Sequence, residues 1–241
     1  KKYPNFALVH NNLGIALRAD EQKNEEAITH YKMAIELKPD YAAAHNNLGL
    51  ILEGNGRTRE AISNYRTAIN LKPGYAAAHS NLGNTLFALG KTKEAIAHYK
   101  TVIRLNPDLA LANSNLGIAL FALGKTEEAI VHYETAIRLN PDFAMAYTNL
   151  GNALFTLGKT EKAIVHYKTA IRLRPGYTEA HYNLGNILVQ TGEIKEAVGH
   201  YRETLRLKPN FVLAQKNLER ALLLAGKMEK FKNQPIKNLS D

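Results

Sequence analysis

The sequence predicts an all-α solenoid of tandem helix-turn-helix units, and three observations predict it. Prolines recur at Pro4, Pro39, Pro73, Pro107, Pro141, Pro175 and Pro209, one gap of 35 residues followed by five of 34. Between them, apolar residues return at intervals of three and four, as on the buried face of a helix. Glycines then split each unit in two, at Gly56, Gly90, Gly124, Gly158, Gly192 and Gly226. A period of this length is the signature of a repeat architecture, in which no unit can bury its apolar face alone.

Each punctuation mark has a physical role. Glycine enters the left-handed conformation past a helix C-terminus without strain, so the glycine register ends each first helix. Thr58, Thr92, Thr126 and Thr160 then stand as N-caps of the second helices. Each proline stops a second helix, and Asn5, Asp40, Asp108, Asp142 or Asn210 is placed to cap the next first helix. The 35-residue gap puts one extra residue in the turn Asp20 to Asn24, which a surface loop absorbs. Small residues, among them Gly49, Gly83, Gly151 and Gly185, answer Ala61, Ala95, Ala163 and Ala197 on the second helices and let the pair approach closely. Tyr31, Tyr65, Tyr99, Tyr133, Tyr167 and Tyr201 are expected to fill the space between neighbouring units.

The seventh unit breaks the pattern: Glu219 replaces the in-helix glycine, Phe231 the alanine, and Pro235 interrupts the second helix. One solenoid is therefore expected over residues 1–226, with units starting near 4, 39, 73, 107, 141 and 175. Residues 209–226 supply a C-terminal capping helix that ends by Ala225, and 227–241 a basic polar tail. The chain lacks an initiator Met, which is expected of a piece of a longer protein.

The Leu-Gly pair, the turn glycine, the alanine, the aromatic and the proline at these spacings resemble the tetratricopeptide repeat family over nearly the whole chain. The family's early Trp or Tyr is here His10, His45, His79, Asn113, Tyr147, His181 and Gln215, a more polar choice. The resemblance implies a right-handed superhelix with first helices on its concave side and second helices on its convex side. It also implies a role in protein–protein interaction.

On the first helices, the residue before each Leu is Asn in all seven units: Asn12, Asn47, Asn81, Asn115, Asn149, Asn183 and Asn217. Asn84, Asn152 and Asn186 lie one turn further on the same stripe. A primary amide carries two donors and an acceptor oxygen, which suits the backbone of an extended peptide whatever its side chains. These ten residues are the candidate groove. The alternative is that they satisfy backbone groups, bridge adjacent repeats or merely record duplication of one unit. The ladder is similar to that of the superhelical repeat arm of O-linked N-acetylglucosamine transferases, which implies a substrate-recruiting arm whose catalytic domain lies outside this chain. The family's carboxylate clamp needs Lys and Arg in the groove. Asn11, Asn46, Ser80, Ser114, Thr148 and Tyr182 occupy that register, so the clamp is not expected.

No catalytic residue, cofactor or metal is expected. There is no Cys, hence no disulfide, thiolate site or cysteine nucleophile. The nine His sit at repeat registers without the spacing that lets one helix chelate a metal. A histidine ladder on stacked helices does, however, suggest packing that weakens on acidification. The Gly-Lys-Thr triplets at Gly90, Gly124 and Gly158 lack the earlier glycine and the strand of a phosphate loop. No apolar run reaches the length of a membrane span, and cytoplasm is the expected compartment. The net charge of +9 gathers on second helices, at Lys100, Arg104, Arg138, Lys168, Arg172, Arg174, Arg206 and Lys208. A solvated face explains it; a surface for nucleic acid or anionic membrane is the disfavoured alternative. The expected partner is a protein or extended peptide, with the solenoid ends open to self-association.

Overall fold

The structure is a computed structural model whose backbone is described over residues 4–232 and whose side chains are described over 6–226. The chain divides into two compact units, residues 1–124 and 125–241, each taken by itself below. The first contains α1 (Pro4–Leu17), α2 (Asn24–Leu37), α3 (Ala42–Gly54), α4 (Thr58–Leu71), α5 (Ala76–Ala88), α6 (Thr92–Leu105) and α7 (Ala110–Ala122). The second contains α8 (Thr126–Leu139), α9 (Ala144–Thr156), α10 (Thr160–Leu173), α11 (Thr178–Thr191), α12 (Ile194–Leu207) and α13 (Val212–Lys232). The described residues hold no strand, and none of their helices is long and apolar enough to cross a membrane. Within each unit every helix packs on the next in sequence, as the repeat period requires.

The turns follow the glycines. Gly90 (φ +74°) and Gly158 (φ +71°) adopt the left-handed conformation, which a side chain would oppose. The extra residue of the first repeat sits in a 3-10 turn, Glu21–Lys23, where the Asp20 carboxylate accepts from the Gln22 N–H at 3.0 Å. Gly226 does not end a helix. It lies inside α13, which continues past the expected stop at Ala225 to Lys232.

The capping residues are also corrected. Thr58, Thr92, Thr126 and Thr160 are the first residues of their helices, and the cap positions are Arg57, Lys91, Lys125 and Lys159, with no side-chain cap bond. Arg57 instead forks onto Glu60 at 2.7 and 2.8 Å, and Lys125 meets Glu128 at 2.7 Å, so the first turn carries an exposed ion pair. First helices start one residue later than expected: the caps are Tyr41, Tyr75, Leu109, Phe143 and Tyr177, again without a side-chain bond. Asp40, Asp108 and Asp142 therefore precede the cap position. Asn210 likewise lies two residues before α13, while the side chain of Asn5 lies outside the described residues. The aromatic caps are covered by a preceding cation, Lys38 over Tyr41 and Lys72 over Tyr75 at 5.3 Å, Arg174 over Tyr177 at 5.4 Å.

The tyrosines also fill a space that was not expected. The rings of Tyr31, Tyr65, Tyr99, Tyr167 and Tyr201 lie against the glycine of their own repeat's first helix. A Cβ built on Gly49 would come within 2.6 Å of Tyr65, and one on Gly83, Gly151 or Gly185 within 2.8 Å of Tyr99, Tyr167 or Tyr201. The glycine register is thus a seat for the ring as well as a close approach of two helices. Burial pushes the Tyr99 and Tyr201 hydroxyls up to about 12, so they act as neutral donors.

Histidines pair across the same helix–helix boundary. Nδ1 of His79 lies 2.9 Å from Nδ1 of His98, and the pairs His10–His30 and His181–His200 repeat this at 2.9 and 3.0 Å. The tautomers follow in two of them. Nε2 of His79 donates to the Pro73 carbonyl at 3.0 Å and Nε2 of His181 to that of Pro175 at 2.9 Å, which leaves their Nδ1 atoms as acceptors for His98 and His200. In the second repeat Asn64 takes the partner's place opposite His45, at 3.3 Å. Protonating the acceptor would set two N–H groups face to face. Burial, then the facing His79, hold His98 below the ordinary histidine range, against Glu94 and with Arg66. Burial and His181 do the same for His200, with Glu196 opposing and Lys168 assisting. Burial lowers His166 as well, Glu134 opposing. Among the described residues no three His, Asp or Glu are grouped to hold a metal ion.

This packing has measurable consequences. Gly49→Ala should destabilise the fold by roughly 1–2 kcal/mol, overpacking exceeding the gain in helix propensity. Gly199→Ala in α12, where a Cβ meets nothing within 4 Å, should stabilise it by about 0.5–1 kcal/mol; urea unfolding of both variants measures the contrast. For the histidines, a folded-state pKa below the unfolded one means that the unfolded chain takes up protons first. Stability is then complete above about pH 6.5 and declines as pH falls below it. Thermal unfolding at pH 7.5 and 5.5 should show this decline, and His98→Asn with His166→Asn and His200→Asn should flatten it.

Candidate functional site

The stripe that carries the asparagines lies on the first helices, opposite the buried Leu48, Leu82, Leu116, Leu150 and Leu184. Asn12 and Asn84 are exposed. Asn47, Asn81, Asn115, Asn149, Asn152, Asn183, Asn186 and Asn217 are part-buried. All of these eight but Asn149 join consecutive repeats through their amides, which leaves fewer open hydrogen-bonding groups than their side chains carry.

In the first unit, Nδ2 of Asn47 donates to Oδ1 of Asn11 at 3.0 Å and Nδ2 of Asn81 to Oδ1 of Asn46 at 3.0 Å. Nδ2 of Asn115 donates to Oδ1 of Asn84 at 3.3 Å, and the same oxygen accepts from the Tyr99 hydroxyl at 2.9 Å. Asn12 accepts a long bond, 3.4 Å, from its neighbour Asn11. The second unit repeats the three-membered relay. Oδ1 of Asn152 accepts from Tyr167 at 2.6 Å and from Asn183 at 2.9 Å, and Oδ1 of Asn186 accepts from Tyr201 at 2.9 Å and from Asn217 at 2.8 Å. Asn149 differs, because its Nδ2 is buried and has no hydrogen-bond partner among the described residues.

These bonds fix which end of each amide is committed. With both lone pairs of its oxygen engaged, Asn84, Asn152 or Asn186 has only N–H groups left to offer. Asn115 and Asn183 each give one N–H to the stack and keep the carbonyl oxygen and the other N–H, whereas Asn217 donates both to Asn186 and to the Tyr182 hydroxyl, at 3.3 Å, and keeps its carbonyl oxygen. Where the turn-later position is apolar, at Ile15 and Leu50, the rung reaches instead for Asn11 and Asn46. Both of these acceptors are nearly buried, at 4% exposure.

Clefts open on this face between repeats. One in the first unit, of about 340 Å³, is lined by Asn84, Phe87, Tyr99, Leu111, Asn115 and Ile118. One in the second unit, of about 440 Å³, takes in Phe155, Asn186, Val189, Tyr201, Asn217 and Arg220. Between the second and third repeats Glu53 occupies the corresponding place. Its carboxylate accepts from the Tyr65 hydroxyl at 2.8 Å and from Thr85 of the next repeat at 2.5 Å. The desolvation of the ring and Glu53 push the Tyr65 hydroxyl far up.

Two features escaped the sequence reading, the histidine pairs and the cations that end two registers, while a third, the bridging of adjacent repeats, stands there only as the alternative to the groove. The histidine pairs are 19 or 20 residues apart on two helices, whereas the chelating spacings sought lie within one. The bridging bonds join Asn residues 31, 35 or 36 apart, and only the 34-residue period could have suggested them. The register of Asn11 and Tyr182 also continues to Lys216, and that of Asn152 and Asn186 to Arg220, so the first-helix stripe does end in two cations.

Comparison with known proteins agrees with the repeat fold. Models described as TPR repeat match residues 17–56, 55–90, 83–124, 119–158 and 151–192, and one described as tetratricopeptide repeat matches 178–211. No curated protein matches the sequence. Among solved structures, the APC/C hetero-tetramer Cut9-Hcn1 superposes with a TM-score of 0.78 at 24% identity, over 92% of this chain and 43% of that one. YrrB, a TPR protein with an unusual peptide-binding site, gives 0.60 at 22% identity over 77% of this chain and 96% of its own. A thermophilic TPR protein of Thermus thermophilus gives 0.63 at 25% identity, over 76% and 99%. The helical pairs, their glycine seats and family matches that run from residue 17 to residue 211 make the chain a member of the tetratricopeptide repeat family.

Proposed function

We propose that this chain is a binding scaffold, without catalysis of its own, that holds an extended segment of a partner protein along its first helices and reads the partner's backbone through side-chain amides. The supporting observation is the tyrosine–asparagine relay. By engaging both lone pairs of Asn84, Asn152 and Asn186, it orients their N–H groups toward a ligand carbonyl. The neighbouring Asn115, Asn183 and Asn217 keep an acceptor oxygen for a ligand N–H. Alternate donors and acceptors are what an extended backbone presents. The peptide-binding site of YrrB is a precedent within the same fold for this kind of ligand.

The relay also defines a substitution that separates binding from folding. Asn→Asp at 84, 152 and 186 keeps an oxygen for the tyrosine and for the next repeat's amide, yet removes the free N–H donors. Peptides selected on the wild-type chain by phage display should bind the triple variant at least roughly tenfold more weakly, with the melting temperature little changed. Unaltered affinity, or no selectable peptide, would count against the amide groove.

A further inference from the structure

We infer that the cleft between α5 and α7 is a side-chain pocket that selects an uncharged, bulky apolar residue, Leu or Phe, in the bound peptide. The inference rests on the reading of the first helices as a peptide groove and adds the specificity which amides alone lack. All six lining residues are uncharged, so a carboxylate or ammonium placed there would lose water and gain no counter-charge. Four of them, Phe87, Tyr99, Leu111 and Ile118, offer apolar walls, and Leu111 stands 49% exposed in the unliganded chain. The volume of about 340 Å³ is ample for one large side chain.

The remaining two linings, Asn84 and Asn115, tie the pocket to the backbone reading. Asn84 is exposed, and the bonds from Tyr99 at 2.9 Å and Asn115 at 3.3 Å turn its N–H groups toward the opening. A ligand carbonyl held there leaves the adjacent side chain to enter the cleft. The second-to-third repeat boundary shows why the pocket is local. There Glu53 reaches across to Thr85. One repeat later Phe87 stands in the place of Glu53 and Ala119 in that of Thr85, so no polar bridge closes the gap and its walls are hydrocarbon.

The test uses the full chain and blocked heptapeptides Ser-Thr-Ser-X-Ser-Thr-Ser, with X as Leu, Phe, Ser, Asp or Lys. Binding is followed by methyl NMR shifts at Leu111 and Ile118. The Leu and Phe peptides should bind roughly tenfold or more tightly than the other three. Leu111→Asp should bring them down to the Ser value, whereas Asn84→Asp should weaken the whole series alike. Binding without preference for X would overturn the pocket and leave the amide groove standing. Binding of none would overturn both. A Leu preference that emerges only when residues 227–241 are deleted would assign the cleft to the chain's own tail and overturn the selection of a partner residue.

Discussion

The contact on which the rest of the molecule depends is a tyrosine ring seated on a glycine. In five repeats the first helix gives up a side chain at one position so that the ring of the second can lie within van der Waals reach of its backbone. That contact sets the separation of the two helices, and a separation set this closely lets the smaller residues around it pack without voids. It also determines where the hydroxyl goes. A ring fixed at that depth carries its oxygen to the far edge of the first helix, where Asn84, Asn152 or Asn186 receives it. The orientation of the surface amides is thus dictated from the core.

The proposed binding face and the packing are therefore two aspects of one network. An isolated asparagine in a helix rotates its amide freely and presents either end to a ligand. Here the tyrosine removes that freedom at one position and the neighbouring repeat restricts it at the next. Donor and acceptor groups that are held in place before a ligand arrives lose less entropy on binding than mobile ones do. The histidine pairs join the two helices at the same boundary, and in two of them the bond to a proline carbonyl fixes the tautomer.

Much of the architecture was legible because it is periodic. The prolines, the turn glycines and the Leu-Gly pair fixed the number of helices, their order and the location of the turns, since each has one dominant conformational reason to recur. The asparagine stripe was legible as a stripe but not as a hydrogen-bond pattern. Asn81 and Asn115 look identical in sequence, yet one finds its acceptor in Asn46 and the other in Asn84, because Leu50 offers no amide where Asn84 does. The caps were misplaced for a related reason. Threonine at a helix start reads as a cap by propensity, whereas the preceding Arg or Lys takes the position and uses its ion pair in the first turn. The histidine pairs needed two helices placed side by side, information that spacing along one helix does not contain.

Within each unit the amide bridges run one way, from a repeat to the one before it, and this gives the unit a direction. A repeat is therefore not a tile that fits beside any other. Where a bridge forms, the leading edge supplies an N–H and the repeat ahead holds an oxygen at one of two places, next to the ladder position as in Asn46 or one turn later as in Asn84, while the Nδ2 of Asn149 goes without. Shuffling, deleting or grafting units in this chain would create junctions with an unmatched donor wherever those two places are both apolar, and the order of the repeats is accordingly part of what the sequence specifies.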